Sequence, residues 1–255
     1  MKKQFLFVCG CPRSGTTALM SFLCKHPDIA LGVERFQMRV RRHELRPSDF
    51  EPTRFFDVRP GNTWYTSLEQ FPWHYDAMRP KYASAKYVGD KIPYLYYHLD
   101  FITSQFEGAR ILFILRDIGE VALSYEARTG TPHWSPKRNA ARAVKDWNDS
   151  LDIVLKWVPH DRFFVVLYKE FATGTLNLHD LCDFLAMPSG SLDAAYQSSL
   201  AERQNRSPQQ CPADMVRGAR LDAFETVKRL RSQRLAQIPS PSNNNQTLPS
   251  ETMTE

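Results

Sequence analysis

The sequence predicts an α/β fold in which a central parallel sheet carries helices on both faces. Three features point to it. Residues 4–10, 110–115 and 163–167 are almost continuously apolar, as strands covered on both faces must be. Segments of helical periodicity separate these runs, the alternation expected of parallel crossovers. The first run opens directly into a loop with glycines at positions 10 and 15, and then into a helix.

Taken in order, QFLFVCG at 4–10 is the first strand, stopped by its glycine. Residues 16–25 form a helix with Ala18, Leu19, Phe22 and Leu23 on one face. Shorter strands are expected at 29–32 and 86–89. A helix spans 93–106 with Pro93 in its first turn, and the strand RILFIL at 110–115 follows. Further helices are expected at 119–128, 135–157 and 176–185, with the strand FFVVL at 163–167 between the last two. A helix of mixed charge at 217–237 closes a single domain of residues 1–237. Residues 238–255, rich in Ser, Asn, Thr and Pro, cannot build a core and predict a disordered tail. Parallel sheets bind ligands at the carboxyl ends of their strands. Functional residues are therefore sought just after Val8, Leu31, Val88, Leu115 and Leu167.

Composition narrows the class. Of 255 residues, 42% are hydrophobic and 24% charged, which excludes wholesale disorder and a fibrous protein. No apolar run approaches the roughly 18 residues of a membrane span. The opening MKKQFLFV starts like a signal peptide, but its apolar run breaks at Gly10. Five sparse cysteines imply no disulfide framework, so a soluble, cytoplasmic protein is expected. The net charge of +5 suits an anionic ligand. No nucleic-acid recognition module is visible, and the seven histidines show no metal-ligand spacing.

The loop Gly10-Cys11-Pro12-Arg13-Ser14-Gly15-Thr16-Thr17 joins the first strand to the first helix. Glycines there let successive N–H groups converge, and the helix N-terminus adds partial positive charge, so the loop is suited to a phosphate. The G-x4-G spacing is that of a P-loop, yet Thr16 stands where a nucleoside triphosphatase has lysine. Arg13 supplies the cation instead. A Cys-x5-Arg phosphatase loop is excluded, because neither Cys9 nor Cys11 has an arginine six residues on.

Cys11-Pro12-Arg13-Ser14-Gly15-Thr16-Thr17 resembles the 5′-phosphosulfate loop of sulfotransferases that use 3′-phosphoadenosine 5′-phosphosulfate (PAPS). The arginine variant is most similar to the tyrosylprotein and carbohydrate branches. In that family an arginine at a later strand end and a serine eight residues on grip the 3′-phosphate, and Arg116 and Ser124 match in type and spacing. A guanidinium fork and a helix hydroxyl suit that task; alone, an Arg-Asp pair after a strand is usually a surface ion pair. The resemblance spans residues 4–170. It implies a P-loop fold and metal-independent sulfuryl transfer from PAPS to a hydroxyl, releasing 3′,5′-bisphosphoadenosine (PAP).

Such transfer needs a base for the acceptor and a cation at the leaving oxygen. The tyrosylprotein branch places its catalytic glutamate 21 positions after the loop arginine, which here is Glu34. It places a catalytic lysine 25 positions before the 3′-phosphate arginine, which here is Lys91. Arg13 is expected to share the leaving-group role. On residue type alone, Glu34 would be a solvated carboxylate paired with Arg35, and Lys91 a helix-start lysine beside Asp90. Tyr168 either lines the adenine side or packs in the core. A C-terminal basic contact to the 3′-phosphate is usual in the family, but the 217–234 segment lacks the usual pattern. Between 35 and 87 the chain is irregular, with Arg35, Arg39, Arg41, Arg42 and Arg46 followed by clustered aromatics. It forms either a lid over an acidic, sugar or phenolic acceptor or a solvated basic surface. The rival functions are a P-loop kinase or triphosphatase and a non-catalytic nucleotide-binding protein.

Overall fold

The computed structural model describes residues 3–131, 134–202 and 210–237. The expected tail at 238–255 lies outside them, as does His133.

Five strands, β1 (Gln4–Cys9), β2 (Ile29–Val33), β3 (Tyr87–Lys91), β4 (Arg110–Leu115) and β5 (Phe163–Leu167), form one sheet in the order β2-β3-β1-β4-β5. Every pairing is parallel. Helices α1 (Thr16–Leu23), α2 (Gln37–Arg41), α3 (Pro52–Phe55) and α4 (Pro72–Met78) precede β3, and α5 (Leu99–Gln105) precedes β4. Helices α6 (Ile118–Glu126) and α7 (Ala140–Trp157) connect β4 to β5. After β5 come α8 (Tyr168–Thr173), α9 (Leu178–Phe184), α10 (Asp193–Ala201) and α11 (Leu221–Ala236).

Strand alternation explains the unbroken apolar runs. Phe7 and Cys9 of β1, with Ile111 and Phe113 of β4, enter one buried cluster with α5, α6, α7 and α11. Leu6 and Val8, with Leu112 and Ile114, enter the other with α1, α9 and α10. Both faces are thus buried. The helix expected at 93–106 divides: Pro93–His98 is a 3-10 turn, and α5 begins at Leu99. The α10 helix is an addition to the elements expected from sequence.

The topology selects where a ligand can sit. From β1 the chain crosses toward β2, and from β4 it moves the opposite way to β5, although β1 and β4 are neighbours. The two loops leaving these strands diverge and open a crevice at their carboxyl ends.

Candidate functional site

The loop after β1 curls because two glycines allow it. Gly10 (φ 156) and Gly15 (φ 97) lie where L side chains are disfavoured. A Cβ on Gly10 would lie 2.5 Å from the Ile114 carbonyl oxygen, and one on Gly15 2.6 Å from the Tyr168 ring. Arg13 also sits in the left-handed region at φ 70, an uncommon conformation for a non-glycine residue. Helix α1 (Thr16–Leu23) is preceded by Gly15 at its N-cap, which has no side chain to cap it.

Within this loop Cys11, Pro12, Ser14 and Thr16 are buried, Arg13 and Gly15 are half-buried, and Thr17 is exposed. The Cys11 carbonyl accepts from Ser14 N at 3.0 Å. Burial, reinforced by the Asp146 carboxylate, holds the Cys11 thiol well above its ordinary pKa, so it is no nucleophile. The Ser14 hydroxyl is buried with no hydrogen-bond partner among the described residues.

Arg13, Arg116 and Ser124 converge across the crevice. Arg13 Nε donates to Ser124 Oγ at 3.0 Å. Arg116 Nη1 donates to the Arg13 carbonyl oxygen at 3.0 Å, and its guanidinium lies 4.1 Å from the Tyr168 ring centroid. Arg116 Nε meets Glu120 Oε2, one helical turn on, at 2.5 Å. Trp147 of α7, fully buried, donates Nε1 to the Arg116 carbonyl at 2.9 Å and so ties this strand end to the core. Asp117 caps α6 by accepting from Gly119 N, rather than pairing with its neighbouring arginine. An orphaned hydroxyl, an uncapped helix and two guanidiniums fit a phosphate or sulfate ester. Glu120 brings an opposing charge to this cluster through its pair with Arg116.

Glu34 and Lys91 form a second group at the same edge. Glu34 follows β2 at φ 53, and its N–H donates to the Lys91 carbonyl at 2.8 Å. Lys91 Nζ donates to Glu34 Oε1 at 2.8 Å; the lysine side chain is 2% exposed and the glutamate 22%. Thr63 Oγ1 donates to the Glu34 carbonyl at 2.6 Å. Ile92 N bonds the Val8 carbonyl at 2.9 Å and Gly10 N bonds the Pro93 carbonyl at 3.1 Å. The start of the glycine loop after β1 is therefore stitched to the strand end that carries Lys91.

Neither of the bland pairings expected from residue type occurs. Asp90 and Lys91 alternate across β3, so they face opposite ways. The buried Asp90 carboxylate accepts from Arg35 N at 3.1 Å and Phe36 N at 2.8 Å and shapes the turn that presents Glu34. Burial raises its pKa to about 7, the two backbone hydrogen bonds opposing that shift. Arg35 is fully buried and donates Nε to the Phe55 carbonyl at 2.8 Å and Nη2 to the Asp57 carbonyl at 2.8 Å, away from Glu34. In the sequence Asp90 is expected only as the neighbour of Lys91. A carboxylate inside a two-sided strand is the signal that it must serve buried N–H groups.

The other expected clusters disperse. Arg39 pairs with Asp49 and Arg46 donates to the His43 and Leu45 carbonyls, so most arginines of the insert brace it from within. In α11, Arg231 makes a forked pair with Glu170 at 3.0 and 2.7 Å, and Arg234 donates to the Val158 and Phe163 carbonyls. These two line a cavity of about 530 Å³ at the amino-terminal ends of β4 and β5, remote from the loop. A second cavity, about 500 Å³, adjoins Gln37, Ile92 and Tyr94 at the Glu34–Lys91 edge. All five cysteines are free. No helix among the described residues is long and apolar enough to cross a membrane.

The model describing the Sulfotransferase family matches residues 6–190. Among solved structures, the sulfotransferase domain of the Synechococcus PCC 7002 olefin synthase shares 18% identity at a TM-score of 0.53, covering 90% of this chain and 95% of that one. A sulfotransferase from Alicyclobacillus acidocaldarius shares 17% identity at a TM-score of 0.52, covering 92% and 97%. These likenesses show the fold. Comparison with curated protein sequences finds no significant match.

Proposed function

Because the chain belongs to the sulfotransferase family, its activity is sulfuryl transfer, and we propose that the donor is PAPS and the acceptor a hydroxyl. One observation carries this reading: the P-loop lacks a lysine but is joined through Arg13 to Ser124 and Arg116, giving one continuous anion-binding surface. Residues 11–17 hold the 5′-phosphosulfate, with the Ser14 hydroxyl and the positive end of α1 facing it. Arg116 and Ser124 hold the 3′-phosphate, the guanidinium as a planar fork.

PAPS supplies the sulfuryl group: a bond from sulfur to the acceptor oxygen forms as the bond to the bridging phosphate oxygen breaks, its electron pair leaving with PAP. Glu34 receives the acceptor hydroxyl proton, a contribution of about 10²–10⁴ in rate for a positioned base. Lys91, buried beside it, neutralises charge developing on the leaving oxygen, with Arg13 assisting. Neutralisation and positioning are most of what in-line transfer asks of a protein.

Thermal unfolding with PAP in the absence of Mg²⁺ tests this reading. PAP at 100 times its Kd stabilises the fold by about 2.7 kcal/mol, and ATP–Mg²⁺ does not. The reverse ranking would assign the loop to a kinase or triphosphatase instead. Labelled sulfate from PAPS appearing on a hydroxyl acceptor establishes the transfer.

A further inference from the structure

The cavity of about 500 Å³ at the Glu34–Lys91 edge is unusually charged. Its walls are α2, the 3-10 turn Pro93–His98 and the chain entering α7. Arg41, Lys137, Arg138 and Arg142 line it, and no carboxylate does among the described residues. Arg142 is compensated by the buried Asp146 at 2.7 Å. Arg138 feels the same carboxylate more distantly through Tyr94, whose hydroxyl donates to Asp146 Oδ2 at 2.7 Å, and Arg41 and Lys137 have no such counter-charge among the described residues. Arg138 donates Nη2 to Tyr94 Oη at 2.8 Å and stacks 4.3 Å from the Trp134 ring centroid, while Arg41 and Lys137 make no ion pair among the described residues.

Uncompensated cations around a concave space raise the local concentration of anions and bind them once seated. Two further features suit a small ring-bodied ligand. The Tyr94 and Tyr97 rings lie within 22° of parallel at a centroid separation of 6.2 Å. Gln37 Oε1 is buried with no hydrogen-bond partner among the described residues, an acceptor awaiting a donor. The volume falls in the range of small-molecule sites, about 300–1,000 Å³.

The cavity also adjoins the chemistry. Gln37 N bonds the Glu34 carbonyl at 3.3 Å, and Ile92, on the cavity wall, directly follows Lys91.

We infer that this cavity holds the acceptor and that the acceptor is a small molecule carrying, besides its hydroxyl, an anionic substituent: a carboxylate, sulfonate or phosphonate-like group. The hydroxyl end lies toward Glu34, and the anion is met by Arg41, Lys137 and Arg138. This inference rests on the sulfuryl-transfer reading above.

Calorimetry at saturating PAP tests it with four matched phenols: 4-hydroxyphenylacetate, its neutral methyl ester, 4-hydroxyphenylmethanesulfonate and 4-hydroxybenzylphosphonate. At least one anionic phenol binds about 10-fold or more tightly than the ester, as expected for charge-assisted contacts. The arms identify which anion is preferred. The double substitution Arg41→Ala with Lys137→Ala reduces the preference to about threefold or less, since both side chains are exposed and the fold is kept. PAP binding stays unchanged in that variant. Equal binding of ester and anions, binding by none of the four, or a preference that survives the double substitution would each overturn the inference. PAP failing to bind the wild type would instead overturn the underlying function. The two failures are thus read separately.

Discussion

The Arg116 guanidinium donates to the backbone carbonyl of Arg13, 103 residues earlier in the chain, at 3.0 Å. This bond ties the β1 and β4 loops to each other at the crevice, and the Tyr168 ring packs against the guanidinium. Arg116→Ala removes the fork and the loop tie together. PAP affinity is expected to fall about 10- to 100-fold, the range for charge-assisted hydrogen bonds. Arg116→Lys recovers only part of it, because an ammonium cannot serve the Arg13 carbonyl and a phosphate in one plane. Calorimetric titration with PAP checks both.

Glu120 competes with any anion for Arg116, meeting its Nε at 2.5 Å. The pair is partly solvated and spans one helical turn, so it is worth little to the fold. Glu120→Gln is expected to tighten PAP binding about two- to fivefold with little change in Tm. Weaker binding would mean that Glu120 orients Arg116 rather than competing for it.

Glu34→Gln keeps the shape of the turn but removes the base. A fall in kcat of at least about 100-fold is expected, with PAP affinity nearly unchanged. The substitution also strips Lys91, 2% exposed, of its counter-charge, so Tm is followed in parallel to separate lost chemistry from lost stability. Undiminished turnover removes Glu34 from the mechanism.

Gly15→Ala meets two obstacles, a φ of 97° and the Tyr168 ring 2.6 Å from the new Cβ. A loss of about 1–3 kcal/mol is expected from denaturant unfolding. Shortening the ring in Gly15→Ala/Tyr168→Leu relieves the clash but not the backbone strain. The double variant therefore recovers part of the loss, a non-additivity that a double-mutant cycle measures.

Asp90 makes stability depend on pH. Burial raises its pKa from the ordinary 3.8 to about 7. Between those values the folded chain keeps a proton that the unfolded chain releases, so the Asp90 contribution to stability falls as pH rises from about 4 to 7 and is level above that. Asp90→Asn has no such titration. The Tm of this variant relative to wild type is expected to rise across that window, and a constant difference would show that Asp90 is ionised in the fold throughout.

Much of the scaffold was legible. All five strands were expected, since a strand buried on both faces must be apolar throughout, and the runs ending at Cys9, Leu115 and Leu167 are. The loop was legible because glycines at 10 and 15 have few other uses between a strand and a helix. Strand β3 was expected to stop at Gly89 but continues through Asp90 and Lys91. Two charges read as a strand end until their partners, the 35–36 backbone and Glu34, are known. In sequence the arginines of the insert form one cluster, whereas the fold turns Arg35 and Arg39 inward and leaves Arg41 on the cavity wall.

The chain by itself determined the α/β architecture, the glycine loop after β1 and the positions of Arg13, Glu34, Lys91 and Arg116 at or just beyond strand ends, because period and turn chemistry are local properties. Only the tertiary structure decided the partners: that Lys91 pairs with Glu34, that Arg116 holds the loop, and that Arg41 shares a cavity with Lys137 and Arg138. Those are contacts between segments 57 to 103 residues apart, set by strand order rather than by any neighbour in sequence.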